Sequence, residues 1–218
     1  AKALAAVAAC AGAALYNHLD AVVPALLEGT YAEAELAEAA GAAYDPELRD
    51  ALVAATREVG VALGFHHLLA VLSGACMEKS APHVRVAAAA LVAALVADSP
   101  HDLSEYHPQF MAMTLGMFHA PQPAVLRAGW AALDAVVKGI PKERYALHVT
   151  WLRQQLQAVA EEHRLARRAA GAPRDAPLLL PGLCLPKGLT PLQAVFQHGL
   201  LTASPELREQ AAAALGEA

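Results

Sequence analysis

At 218 residues the chain is long enough for one or two domains, and its composition is 56% hydrophobic, 17% charged and 5% aromatic. So few aromatic residues beside so much alanine exclude a β-sandwich or barrel, and the hydrophobic content excludes disorder. A net charge of −5 makes the chain as a whole a poor generic binder of nucleic acid.

Three cysteines, Cys10, Cys76 and Cys184, form no Cys-x-x-Cys pair and are odd in number, which fits a reducing cytosol. The longest apolar runs, Ala3–Tyr16 and Val86–Ala97, fall short of the roughly 20 residues that a membrane-spanning helix needs. Ala3–Leu15 behind Lys2 imitates the core of a signal peptide. Because the chain starts at Ala1 and not Met, we read it as a fragment that opens inside a buried helix.

Taken in chain order, apolar helices alternate with segments that share one signature. Leu15–Leu27 is apolar and contains Pro24; after it, Glu33, Glu35 and Glu38 mark a polar surface. Asp45-Pro46-Glu47-Leu48-Arg49 then leads into Ala51 and Ala55. Val59–Cys76 is the next apolar helix, followed by Ala81-Pro82-His83-Val84-Arg85 and an alanine run. Leu103–Phe118 contains Pro108 and precedes Pro123-Ala124-Val125-Leu126-Arg127. A long helical stretch runs from Pro141 to about Ala170, with Leu147, Trp151, Leu152, Leu156 and Val159 at helical spacing. The loop Gly171–Gly188 follows, and Pro173, Pro177, Pro181 and Pro186 preclude a regular helix through it. Leu189–Leu201 and Ser204-Pro205-Glu206-Leu207-Arg208 complete the chain.

The signature has a physical meaning. Proline in a first helical turn forfeits no hydrogen bond, and Asp45 or Ser204 before it suits an N-cap. The arginines recur at intervals of roughly 40 residues, the last interval being about twice that, which is the period of HEAT and armadillo repeats. The expected fold class is all-α, a HEAT/armadillo-type α-solenoid of about five helix pairs. Residues 1–218 form a single solenoid fragment of a larger protein, with 171–188 an irregular Pro/Gly-rich loop inside it. Ala51, Ala55, Ala88, Leu91, Trp130, Leu133, Ala211 and Leu215 should be buried between layers. Ala3–Leu15 and Ala211–Leu215 should be apolar faces stripped of their neighbours.

Charge singles out the irregular unit. Residues 138–187 hold nine of the 16 basic groups and only four of the 21 acidic ones, while the segments on either side are acidic. Leu178, Leu179, Leu180, Leu183 and Leu185 make the loop too apolar for a free linker. Packed back onto the solenoid, it would hold Arg164, Arg167, Arg168, Arg174 and Lys187 in place for an acidic partner. A solvated helix end, with arginines complementing the C-terminal dipole, accounts for Arg164–Arg168 equally well.

Catalytic and metal chemistry find no support. His66 and His67 point about 100° apart on a helix, and His101 and His107 flank a turn; neither pair has zinc-ligand spacing. Leu72-Ser73-Gly74 lacks the first glycine of a nucleophile elbow. Cys184 has no His–Asn partner and reads as a small apolar filler. The Pro186-Lys187-Gly188-Leu189-Thr190 run lacks the order of a phosphate loop. No enzyme and no cofactor are expected, and the extended surface of a solenoid points to binding.

Two stretches resemble a known family. Val125-Leu-Arg-Ala-Gly-Trp130-Ala-Ala-Leu-Asp134-Ala-Val-Val-Lys138 is similar to a HEAT helix of the general control non-derepressible translational activator family. So is Leu180-Pro-Gly-Leu-Cys184-Leu-Pro-Lys187-Gly-Leu, continuing into Gly199–Gly216. The resemblance is closest over 120–218 and looser over 59–119; over 1–58 it is one of repeat register alone. It implies a protein-binding scaffold in translational control, from the part of the stalled-ribosome sensor that helps recruit and activate the amino-acid-starvation kinase of initiation factor two alpha. It further implies the RWD domain of that kinase as partner, ribosome contact mainly through other repeats, and a cytoplasmic, polysome-associated location. No membrane and no sequence-specific nucleic acid are expected. The alternative is a generic HEAT adaptor of nuclear transport or the cytoskeleton, which leaves the Pro-Gly-x-Cys-Leu-Pro-Lys loop unexplained.

Overall fold

The structure, a computed structural model, describes residues 65–77, 79–98, 102–171, 173 and 180–217, with Cys10, Ala14, Asn17, His18 and Ala21. Within them lie seven α-helices: α1 (Phe65–Cys76), α2 (Pro82–Asp98), α3 (His107–Leu115), α4 (Pro123–Gly139), α5 (Tyr145–Ala169), α6 (Thr190–Thr202) and α7 (Pro205–Glu217). Short 3-10 turns, Ser104–Tyr106 and Lys142–Arg144, lead into α3 and α5. No strand occurs among the described residues, and the all-α reading holds. The expectations for Ala3–Leu15, Pro24, Arg49, Ala51 and Ala55 lie outside the described residues.

The chain divides into two compact units, Ala1–Pro100 and His101–Ala218. In the first, α1 packs on α2. Leu68, Leu69, Leu72 and Cys76 are buried, as are Ala88, Ala89, Leu91, Val92, Ala94 and Leu95. The alanines give α2 strong helix propensity and a low profile for close packing. The signature arginine Arg85 is itself buried, and its Nε donates to the carbonyl of Cys76, the last residue of α1, at 3.1 Å. It thus satisfies a carbonyl that the end of a helix leaves open.

The second unit is a two-layer stack. Helix α3 packs on α4, α5 on α6, and α6 on α7; α3 also meets α5, α5 meets α7, and α4 meets α6. His107 at the start of α3 faces His148 near the start of α5, and His119 beyond the end of α3 lies within electrostatic reach of His163 further along α5. The two helices therefore run parallel, offset by about 40 residues, the length of one HEAT unit. Helices α3, α5 and α7 form one layer, and α4 and α6 the other. Gly199 permits a close helix contact: a Cβ there would stand 2.7 Å from Val149 Cγ2 and 3.4 Å from Ala211 Cβ, so α6 lies close between α5 and α7.

This topology corrects the repeat phase. Counting the last arginine interval as two units puts α7 in the layer of α4, whereas the structure puts it in the layer of α3 and α5. The signature marks the start of a helix that follows another, whichever layer it joins. In α7, Arg208 Nε donates to the Ala203 carbonyl at 2.8 Å, just past the end of α6, repeating what Arg85 does.

The core expectations hold in part. Ala88, Leu91, Leu133 and Ala211 are buried. Trp130 and Leu215 are only half-buried. Ala211 and Ala214 are covered by α5 and α6, so the last helix is not a bare apolar face. Pro108 sits in the first turn of α3, where it displaces no helical hydrogen bond and causes no kink. On α5 the buried row is Tyr145, Val149, Leu152, Leu156 and Val159. Leu147 is 74% exposed, because two residues after Tyr145 a side chain points about 200° away from that row.

Candidate partner-binding surface

Helix α5 has 25 residues against 13 in α6. Its buried row ends at Val159, so the last turns, from Glu161 to Ala169, run past the core. The chain must then return to the start of α6, and the loop that brings it back is built onto the α3–α4 turn.

The loop is seated by specific contacts. The Gly182 N–H donates to the Phe118 carbonyl at 2.8 Å, and Leu180 is buried. A Cβ on Gly182 would lie 2.4 Å from Cγ of Phe118, whose ring is fully buried. The loop then folds on itself: Leu183 N–H donates to the Leu180 carbonyl at 3.0 Å, and Gly188 N–H to the Leu185 carbonyl at 2.7 Å. A Cβ on Gly188 would stand 2.6 Å from the carbonyl oxygens of Gly182 and Leu183, so both glycines are required by close approach. At the far end, the Lys187 carbonyl accepts from Trp130 Nε1 at 3.1 Å and from Thr190 N–H at 2.9 Å. Lys187 has φ +63°, a left-handed conformation that costs a non-glycine residue on the order of 1 kcal/mol and is held here by its surroundings. Packing of the loop onto the solenoid is therefore seen for Leu180, with Leu183 and Leu185 half-buried; Leu178 and Leu179 lie outside the described residues.

The outer edge of the loop exposes Cys184, Pro186 and Lys187. This corrects the reading of Cys184 as a filler. The glycine-dictated fold turns Leu180 inward and leaves the thiol on the opposite side. Its counterpart Cys76 is buried, and burial pushes its thiol up to about 12.

The basic end of α5 borders the same turn. His163 is held below the usual imidazole range by burial, then by Arg167 and by His119, the residue next to Phe118. Arg164 pairs with Glu161 one turn earlier on the same helix. That hydrogen bond, with Arg168 adding a smaller effect, holds the Glu161 carboxyl below the ordinary carboxylate range. Of the five expected contact residues, Arg168 and Lys187 are exposed, Arg164 and Arg167 are half-buried, and Arg174 lies outside the described residues. Gly182 of the loop meets Phe118, and His163, one turn before Arg167, lies within electrostatic reach of His119, so the loop and the basic end of α5 both approach the α3–α4 turn. Arg127, exposed one turn before Trp130, adds a cation on α4. Sequence reasoning missed Phe118 and the Trp130 latch; the tryptophan's place in the motif was a signal, but it was assigned to the core.

Among the described residues, no group of three or more His, Cys, Asp or Glu is arranged to hold a metal ion, and no helix is long and apolar enough to cross a membrane.

Stacked helix pairs, parallel within each layer and offset by one repeat length, define a HEAT-repeat protein. The chain belongs to the family described as stalled ribosome sensor GCN1-like HEAT repeats, which it matches over residues 1–187. It is 32% identical over its whole length to Protein ILITYHIA of Arabidopsis thaliana, of which it spans 8%. It is 28% identical over 61% of its length to the stalled ribosome sensor GCN1 of Homo sapiens, and 25% identical over 96% to the eIF-2-alpha kinase activator GCN1 of Dictyostelium discoideum, covering 5% and 7% of those proteins. No solved structure matches.

Proposed function

We propose that this chain is a protein-binding section of a translational-control scaffold, and that it helps recruit the amino-acid-starvation kinase of initiation factor two alpha through that kinase's RWD domain. The reading is supported by membership of the GCN1-like family and by relatives named for sensing stalled ribosomes and activating the eIF-2-alpha kinase. The observation that carries it is the loop: a Pro/Gly-rich insert seated on the α3–α4 turn beside the basic end of α5, an arrangement that a plain helix-to-helix connection does not need. The partner face comprises Arg164, Arg167, Arg168, Arg174 and Lys187, and its mate is an acidic protein surface. Ribosome contact rests mainly with other repeats of the longer protein, whose place of work is the polysome-bearing cytoplasm. A scaffold of this kind works by presenting surface, not by catalysis.

The test is binding of this chain to the purified RWD domain and, separately, to ribosomes. Arg→Glu changes at Arg164, Arg167 and Arg168 together should weaken RWD binding at least ten-fold and leave the helical content unchanged, since surface substitutions usually cost under about 0.5 kcal/mol each. The difference should shrink at high salt, where screening shortens to a few ångströms. Unchanged binding to both would return the patch to a solvated helix end.

A further inference from the structure

We propose that the joint between α3 and α5 is an acid-sensitive hinge of the solenoid, clasped where the two helices begin by His107 and His148. The proposal concerns the mechanics of the repeat stack and stands apart from the partner reading.

His107 is 4% exposed and packs edge-on against His148, ring centroids 6.5 Å apart and planes at 80°. Its Nδ1 is buried with no hydrogen-bond partner among the described residues, so the ring sits there as an apolar wedge. The ionisable groups that face it are Asp102 on the chain before α3, and Arg144 and His148 from the segment that begins α5. Only Asp102 would welcome a proton on the ring, and its carboxylate already accepts from the N–H and hydroxyl of Ser104. Arg144 opposes the charge on both rings, and so does the positive N-terminal end of α3, where His107 is the first residue.

Burial is the first cause that disfavours charge on His107 and His148 alike. Each is thus easier to protonate in the open joint, where an imidazole titrates at about 6.5, than in the closed one. Below that pH the open form binds more protons, so the closed joint loses stability as pH falls. Each ring changes the equilibrium by at most about ten-fold for every pH unit crossed. Helices α3 and α5 belong to successive repeats, so opening here lets one repeat swing from the next.

Hydrogen exchange of this chain at pH 7.5 and pH 5.5, corrected for the intrinsic rate, tests the proposal. Amides of α3 and of the first half of α5 should lose protection at least ten-fold at pH 5.5, while the α6–α7 pair loses less. His107→Gln with His148→Gln should abolish the difference, whereas His198→Gln, on α6 with its ring packed on Tyr145, should leave it intact. If the double variant does not fold, the wild-type map decides alone. Unchanged protection in α3 and α5, or an equal loss in all described helices, overturns the proposal; so does an acid effect that survives in a folded double variant.

Discussion

Replacing Gly182 by alanine tests whether the insert is seated as described. The new Cβ would stand 2.4, 2.5 and 2.7 Å from three carbons of Phe118, where carbon atoms rest about 3.5–4.0 Å apart. More than an ångström must be found. The Phe118 ring is fully buried and has nowhere to retreat, so it must strain, at about 1–3 kcal/mol, or the loop must lift. Lifting breaks the 2.8 Å bond from Gly182 N–H to the Phe118 carbonyl, worth about 1 kcal/mol, and exposes Leu180, worth about 1.5–3 kcal/mol. The strain route thus costs about 1–3 kcal/mol and the lifting route about 2.5–4 kcal/mol, and the cheaper one sets the loss. In a unit the size of His101–Ala218, that lowers the thermal midpoint by roughly 3–15 °C if the whole unit feels it. If the loop lifts alone, the midpoint moves less and trypsin cuts after Lys187 faster. Circular dichroism melts and limited trypsinolysis read the two outcomes. Gly216→Ala, with nothing within 4 Å and a place in α7, is the control and should be neutral or slightly stabilising. A Gly182→Ala chain that melts and digests like the wild type would refute the seating of the loop on Phe118.

Trp130→Phe keeps the aromatic bulk but removes the Nε1–H that donates to the Lys187 carbonyl; it should cost about 1 kcal/mol and speed trypsin cleavage at Lys187 with helical content unchanged. Under maleimide at pH 8, the exposed Cys184 and Cys10 should be labelled within minutes. Cys76, buried with its thiol pushed up to about 12, should react only on unfolding, and mass spectrometry of the labelled peptides separates the three.

The helices were legible in the sequence because their starts are written in local chemistry. Pro82, Pro123 and Pro205 each open a helix where the signature puts it, and the long stretch from Pro141 to about Ala170 is a 3-10 turn followed by α5. Layer assignment was not legible, because Arg85 and Arg208 report only on the preceding helix: each reaches back to a carbonyl at its end or just past it. Arg127 carries the same signature but is exposed, so even the bond is not implied by the motif. Leu147 was misplaced for a related reason, since an apolar set wider than one face contains more than one helical row. The candidate surface was visible as a change in charge and proline content. What fixed it was not, for Trp130 and Lys187 meet across 57 residues and the Phe118–Gly182 contact spans a similar distance.

The irregular unit shows how a repeat stack can carry a specific feature without losing its order. Helix α5 supplies a regular buried row from Tyr145 to Val159, which meets α3 in its own layer and α6 in the other, so both layers continue through it. Its extra turns cost the core nothing, since they begin only after that row ends. The return path could have been a free linker. Instead, two glycines with no room for a side chain, one buried leucine and one tryptophan hydrogen bond fix it to the preceding helix pair. Those contacts face inward and leave Cys184, Pro186 and Lys187 outward, with Lys187 held in a backbone conformation it would not choose alone. A loop serving only to connect α5 to α6 would gain nothing by holding a lysine in the left-handed region. Glycine at 187 would relieve that strain, while the carbonyl that Trp130 grips would remain. In the proposed partner face, that strain would serve to keep the lysine side chain at the outer edge of the insert.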